Sequence, residues 1–179
     1  MVKRMNAMAV LSFLGTVLAA LLFHGSGRGL YLTLAITFGT TFYHFGMRLL
    51  VGLIYNAIMK NRADYTKWWY QIRPWEQKLY RFLCVKTWKS KMPTYNPEIF
   101  SREKHSWDEI AQAMCQSELV HETNVVISFV PVVFSVWFGE FWVFFITSVC
   151  GALFDLMFVI MQRYNRPRVV KAALRQKGR

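Results

Sequence analysis

Four stretches of the chain are apolar almost throughout, and the charged residues gather in the segments between them. Residues 5–23 carry no charge, and 30–59 are broken only by His44, Arg48 and Asn56. Residues 119–138 are interrupted by His121, Glu122 and Asn124, and 141–161 by Asp155 alone. Each run supplies the roughly 20 residues that a bilayer-spanning helix requires. The pattern predicts an all-α, polytopic membrane protein with four transmembrane helices, folded as one membrane domain over residues 1–179. The first run follows Lys3 and Arg4 as a signal peptide would. It exceeds the usual apolar core of about 7–15 residues, however, and no small-x-small cleavage site precedes His24, so a retained helix is expected.

The segment 60–117 is too aromatic for a plain linker. After Pro74, the positions Trp75, Leu79, Phe82 and Leu83 follow helical spacing, while Glu76, Gln77, Lys78 and Arg81 fall largely elsewhere. Such a helix, rich in Trp, Tyr and Lys, suits the headgroup zone, where it lies flat as an interfacial amphipathic segment. A turn-rich connection, Pro93–Pro97, comes next. Ser106 and Glu109 then have the spacing of a capping box, and Asp108 places favourable charge in the first turn. No helix breaker appears before Pro131, so a continuous helix is expected to rise into the third span. Glu118 and His121 would lie about 20 Å along it.

Charge settles the expected orientation. The sequence is 54% hydrophobic, yet it holds 22 Lys/Arg against 10 Asp/Glu. Of these basic residues, 11 lie in segment 60–117 and 7 in the tail 162–179, while the short loops 24–29 and 139–140 hold almost none. By the positive-inside rule, both termini and the central segment are cytoplasmic and the protein is multi-pass in the cell membrane. Topology and attraction to anionic headgroups account for the basic excess, and no nucleic-acid partner is expected. The cysteines Cys84, Cys115 and Cys150 show no CxxC spacing, so no disulfide is expected. No phosphate-binding loop, GxSxG elbow or dinucleotide fingerprint is present, and no cofactor is expected.

Polar residues inside or beside membrane spans mark function by default. His44 and Arg48 are four residues apart and share a helix face. Glu118, His121 and Glu122 also share a face, and a carboxylate beside an imidazole favours the proton-accepting role that general-base work requires. The run Gln162-Arg163-Tyr164-Asn165-Arg166-Pro167-Arg168 closes the fourth span. With this topology the three groups reach one cytoplasmic-side layer, and Asp155 lies deeper. Three readings remain open at this point. The groups form a catalytic pocket, or they pair with one another and lock helices together, as Arg48 with Glu118 or Glu122 would. The third is a metal site, since Glu118-x-x-His121 has the spacing of carboxylate-bridged di-metal proteins, although the second such pair is missing. Arg163, Arg166, Arg168, Lys86, Lys89 and Lys91 together make a basic rim suited to a phosphate-bearing donor or a lipid headgroup.

The stretch Ile160–Arg168, IMQRYNRPR, closely resembles the end of the glycosyl-4,4′-diaponeurosporenoate acyltransferase family. The resemblance extends to Trp88-Lys89 with a Pro shortly after, and to Ser117-Glu118-Leu119-Val120-His121, where the family reads roughly A-E-L-x-H. It covers about residues 75–170 and is that of a sister branch: Glu122 stands where the family commonly has Trp. The resemblance implies an integral membrane acyltransferase that passes a fatty acyl group, from a donor such as acyl-CoA, to a membrane lipid or glycolipid. Under that reading His121 is the general base and Glu118 orients it. Gln162, Arg163, Asn165, Arg166, Trp88 and Lys89 bind substrate, and His44 and Arg48 complete the pocket. Two alternatives stand beside it: a non-catalytic lipid- or partner-binding membrane protein, and a metal-dependent membrane hydrolase.

Overall fold

The helical expectation holds along most of the chain. The computed structural model describes residues 2–94 and 96–178, so Tyr95 in the Pro93–Pro97 connection lies outside the described residues. The helices are α1 (Val2–Ser26), α2 (Gly29–Met59), α3 (Pro74–Phe82), α4 (Val85–Trp88), α5 (Trp107–Ile127), α6 (Val130–Val133), α7 (Ser135–Phe138) and α8 (Phe141–Lys177). Single 3-10 turns lie at Trp68–Tyr70, Lys89–Lys91 and Pro97–Phe100. Three stretches, Lys3–Ser26, Trp107–Phe138 and Phe141–Lys177, are long and apolar enough to cross a membrane. With 31 residues α2 has the length, but Thr33, Thr37, Thr40, Thr41, His44 and Arg48 dilute its hydropathy and keep it out of that set. Those hydroxyls are satisfied within the helix: Thr37 donates to the Thr33 carbonyl and Thr41 to the Thr37 carbonyl, each at 2.8 Å.

Two helix boundaries differ from expectation. α5 ends at Ile127 and gives way to the short pieces α6 and α7, where the sequence offered no helix breaker before Pro131. Proline has no N–H to offer four residues back, so Pro131 leaves the Ile127 carbonyl without its intrahelical donor. The Tyr43 hydroxyl donates to that carbonyl at 2.8 Å instead. At the other end, α8 does not stop near Met161. It continues past the internal Pro167 to Lys177, so the basic tail is helical.

The chain packs as two compact units, Met1–Gly52 with Thr123–Phe154, and Leu53–Glu122 with Asp155–Arg179. In the first, α1 and α2 meet through small residues and rings. A side chain at Gly15 would collide with the Phe38 ring at 2.9 Å, and the Phe13 and Phe42 rings pack 5.3 Å apart. The α2 residue Arg48 donates to the Gly151 carbonyl of α8 at 2.9 Å. Glycine gives that approach its room, because a Cβ there would stand 3.1 Å from both Arg48 Nη2 and His44 Nδ1, closer than such contacts ordinarily come.

In the second unit α5 and α8 run antiparallel. Their rungs are Lys177 to Asp108 at 2.6 Å, Gln162 to Ser117 at 3.1 Å, and His121 to Asp155 at 2.7 Å. The capping box expected at the start of α5 is present, with the Ser106 N–H donating to Glu109 at 2.8 Å and the Glu109 N–H to Ser106 Oγ at 3.2 Å. α2 ends where Lys60 and Asn61 turn left-handed, and Gln116 accepts the Asn61 N–H at 2.7 Å. α3 is folded with its apolar face outward: Phe82 is 82% and Trp75 57% exposed, whereas Glu76 and Tyr80 are buried. The same inversion marks the whole protein. Apolar side chains line the outside of α1 and α8, and Glu118, Asn124, Asp155, Ser128 and Ser148 are among its largest fully buried side chains. A chain solvated by lipid gains nothing by burying leucine, and it must bury its charges.

Gly151→Leu is expected to break the Arg48–Gly151 contact and lower stability by about 1–3 kcal/mol. Thermal unfolding of purified protein in detergent checks this, and an unchanged midpoint would rule out the close approach.

Candidate active site

The second unit holds two distinct polar clusters, and the sequence motifs are divided between them. In the first, Glu118 is fully buried. Its Oε1 accepts from Arg163 Nη1 at 2.6 Å, and its Oε2 pairs with Arg166. Glu76 then closes on Arg163 as a fork, with Oε2 to Nε at 2.7 Å and Oε1 to Nη2 at 2.8 Å. Arg163 also donates to the carbonyls of Trp69 at 3.1 Å and Gln71 at 3.3 Å, and Arg166 to that of Tyr70. All five N–H donors of Arg163 are thereby committed to protein acceptors. Arg166 also sits over the Tyr70 ring, 5.2 Å from its centroid.

Glu76 shows how strongly this cluster favours charge. Burial pushes its carboxyl up, but the Arg163 guanidinium, the Tyr80 hydroxyl and the Arg73 N–H outweigh that effect and hold it at about 2. Burial and the adjacent Glu76 push the Tyr80 hydroxyl well above its ordinary range, so it remains a donor to that carboxylate. Burial likewise pushes the Tyr70 hydroxyl up to about 12.

The second cluster is the pair His121–Asp155. His121 Nδ1 lies 2.7 Å from Asp155 Oδ1, and the imidazole stacks on Phe158 at 4.5 Å and 8°. Asp155 is fully buried, whereas the His121 side chain keeps 21% of its surface open. With the Asp155 oxygen as acceptor, a neutral His121 donates through Nδ1 and carries its lone pair on Nε2. Among the described residues, Nε2 takes no hydrogen bond. The ring is thus tied to a carboxylate at one nitrogen and open at the other.

This changes the partner assigned to His121 from the sequence. Both carboxylate oxygens of Glu118 are taken by arginines, and the carboxylate beside the imidazole is that of Asp155, on the facing helix. No local spacing signals this, since the two residues are 34 positions apart and meet only when α5 and α8 pack. The sole sequence signal is a lone acid in an apolar run.

The remaining predicted residues divide as follows. Gln162 is buried and donates to Ser117 Oγ. Asn165 accepts from Lys89 Nζ at 2.6 Å. Trp88 donates its ring N–H to the Leu83 carbonyl at 3.0 Å, which fixes the turn between α3 and α4. Glu122 accepts from the Trp69 ring N–H at 2.9 Å. His44 and Arg48 belong to the first unit and surround Gly151. Arg48 donates to the Gly151 and His44 carbonyls. Among the described residues, no three His, Cys, Asp or Glu side chains are grouped so as to hold a metal ion.

Comparison with known families agrees with the sequence resemblance. The model described as glycosyl-4,4′-diaponeurosporenoate acyltransferase matches residues 66–175, a stretch that includes both clusters of the second unit. His44 and Arg48 lie outside it. Neither the curated proteins nor the solved structures contain a match to this chain.

Glu118→Ala is expected to destabilise the protein by about 3–5 kcal/mol, since it strands two buried arginines. The loss would appear as a lowered unfolding midpoint in detergent and not as a purely kinetic defect. Glu76 adds a pH signature. Its folded value lies below its ordinary 4.5, so its contribution is complete above about pH 4.5 and is lost as pH falls towards 2. Glu76→Gln is expected to flatten the acid limb of stability against pH across that window. An identical limb in both proteins would contradict the assignment.

Proposed function

The chain belongs to the glycosyl-4,4′-diaponeurosporenoate acyltransferase family, and on that premise we propose that it transfers a fatty acyl group from a thioester donor to a hydroxyl of a membrane-bound glycolipid. The family, which acts in carotenoid synthesis, makes a glycosylated carotenoid acid the first acceptor to test. The observation that carries the mechanism is the open Nε2 of His121, held by Asp155 inside the matched stretch.

In the proposed reaction, Nε2 takes the proton of the acceptor hydroxyl as its oxygen attacks the thioester carbonyl carbon. The tetrahedral intermediate collapses, the C–S bond breaks, and the leaving thiolate recovers the proton from the imidazolium. The products are an ester and a free thiol. Asp155 holds the ring in the tautomer that can accept and stabilises the imidazolium that forms. Glu118, Glu76, Arg163 and Arg166 keep α3, α5 and α8 in place around this pair.

We place the reaction at the cytoplasmic face. The distribution of basic residues supports that orientation, with α2 as a fourth span beside the three stretches long and apolar enough to cross. The outward Trp75, Leu79 and Phe82 of α3 support an interfacial position for the central segment, where a lipid acceptor and a water-soluble donor meet.

The test supplies labelled acyl-CoA and glycosylated carotenoid or glycolipid acceptors to purified protein. His121→Ala is expected to lower turnover about 10²–10⁴-fold while the fold is kept. Asp155→Asn is expected to lower kcat and change the pH dependence of kcat/KM, which a merely structural aspartate would leave in place. Undiminished turnover in His121→Ala would refute this mechanism.

A further inference from the structure

We infer that Lys89 and Arg168, gathered around Tyr164, form a binding site for a phosphate group. Lys89 Nζ lies 4.7 Å from the centroid of the Tyr164 ring, and Arg168 Cζ lies 5.0 Å from it. The two charges are therefore no farther apart than those distances laid end to end. Each is anchored by a neutral group: Lys89 donates to Asn165 Oδ1 at 2.6 Å, and Arg168 Nη2 lies 3.3 Å from the Tyr164 hydroxyl. Among the described residues, neither cation has a carboxylate within ion-pair distance.

The contrast with the adjacent turn is what gives this meaning. Within one run, α8 directs Arg163 and Arg166 inward onto Glu118, with Glu76 closing on Arg163, and leaves Arg168 outside beside a lysine. Two uncompensated like charges repel each other. The face of an aromatic ring offsets only about 0.5–1 kcal/mol for each exposed cation. A phosphate offers the missing negative charge together with several acceptor oxygens, and Lys and Arg side chains are suited to receive it.

Position along α8 defines what such a ligand must be. Asp155 and Arg168 lie on the same helix, about 20 Å apart at 1.5 Å per residue. A phosphate held at Lys89 and Arg168 is thus remote from the His121 imidazole, at the far end of a long molecule. Two sources share that chemistry: the nucleotide end of a thioester donor, and the headgroup of an anionic lipid. Only the choice of a long donor rests on the acyl-transfer reading; recognition of phosphate stands apart from it.

Full-length protein in a non-ionic detergent can be titrated with coenzyme A and, separately, with dihexanoyl phosphatidylglycerol. At least one is expected to bind, more weakly as salt is raised. The double substitution K89Q/R168Q is expected to weaken that binding about tenfold or more, and K171Q on the same helix is expected to leave it unchanged. Loss confined to coenzyme A identifies a donor site, and loss confined to the lipid a headgroup site. If the double variant fails to fold, the single substitution Arg168→Gln at an exposed position serves, with a smaller loss in the same direction. His121→Ala is expected to keep full binding while losing turnover, so failure of the chemistry and failure of the phosphate site are separable. The inference is overturned if neither probe binds the wild-type protein, or if a folded variant lacking these charges binds both as tightly.

Discussion

The second unit is organised around a carboxylate that has no access to water. Glu118 is fully buried, and an isolated charge in that position would cost several kcal/mol. Arg163 and Arg166 make it tenable, and Glu76 in turn makes Arg163 tenable. The consequences spread along the chain. Glu118 lies on α5, both arginines on α8 and Glu76 on α3, while the carbonyls of Trp69, Tyr70 and Gln71 are tied to the same guanidinium groups. One electrostatic cluster therefore determines where three helices and a 3-10 turn meet. His121, on the next turn of α5, inherits its position from that arrangement.

The cluster exemplifies an inverted logic of burial. In water a helix hides its apolar stripe, but α8 hides Ser148, Asp155, Gln162 and Arg166, interleaved with Phe144, Ala152, Phe158 and Val159. These positions recur every three or four residues and make one face. The opposite face, with Leu153, Leu156 and Met157, is open to the surroundings. Hydrophobic attraction between helices is weak in lipid, so specific hydrogen bonds and close contacts at small residues must supply the register. Tyr43 on the Ile127 carbonyl and Arg48 on the Gly151 carbonyl are examples of the first, and the Gly15–Phe38 approach is one of the second.

Much of this was legible from the sequence because it is local. The apolar runs, the capping box at Ser106 and Glu109, and the start of α3 at Pro74 all follow from residues a few positions apart. Proline chemistry also predicts a break near Pro131; what was missed is that the break falls four residues earlier, at the carbonyl the proline cannot serve. Motif residues were legible too: Glu118 is fully buried between two arginines, and His121 lies against Asp155. Their partners were not. Spacing along the helix makes the acid at i−3 the natural companion of His121, yet its charge is spent on arginines that approach from a different helix. Asp155 was visible only as an acid out of place. Its role requires knowing that α5 and α8 run antiparallel in a register that puts position 121 against position 155.

The inward-facing residues of the most specific stretch of sequence are closed to a ligand. Within Gln162–Arg168, Gln162 bonds Ser117, Arg163 has spent every donor it owns, and Arg166 is closed between Glu118 and the Tyr70 carbonyl. A guanidinium whose five hydrogen bonds are all made within the protein cannot also grip a phosphate without dismantling the cluster that holds α3, α5 and α8 together. A distinctive basic motif beside a catalytic candidate therefore need not be the substrate-binding part of the site. Donor saturation separates the two roles: it assigns Arg163 to architecture and turns attention to cations that retain unused donors. His121 passes the corresponding test on the acceptor side, since Asp155 occupies one ring nitrogen and leaves the other free. In this protein the saturated framework and the candidate base are built from neighbouring residues of the same helices, and what distinguishes them is whether any bonding capacity is left over.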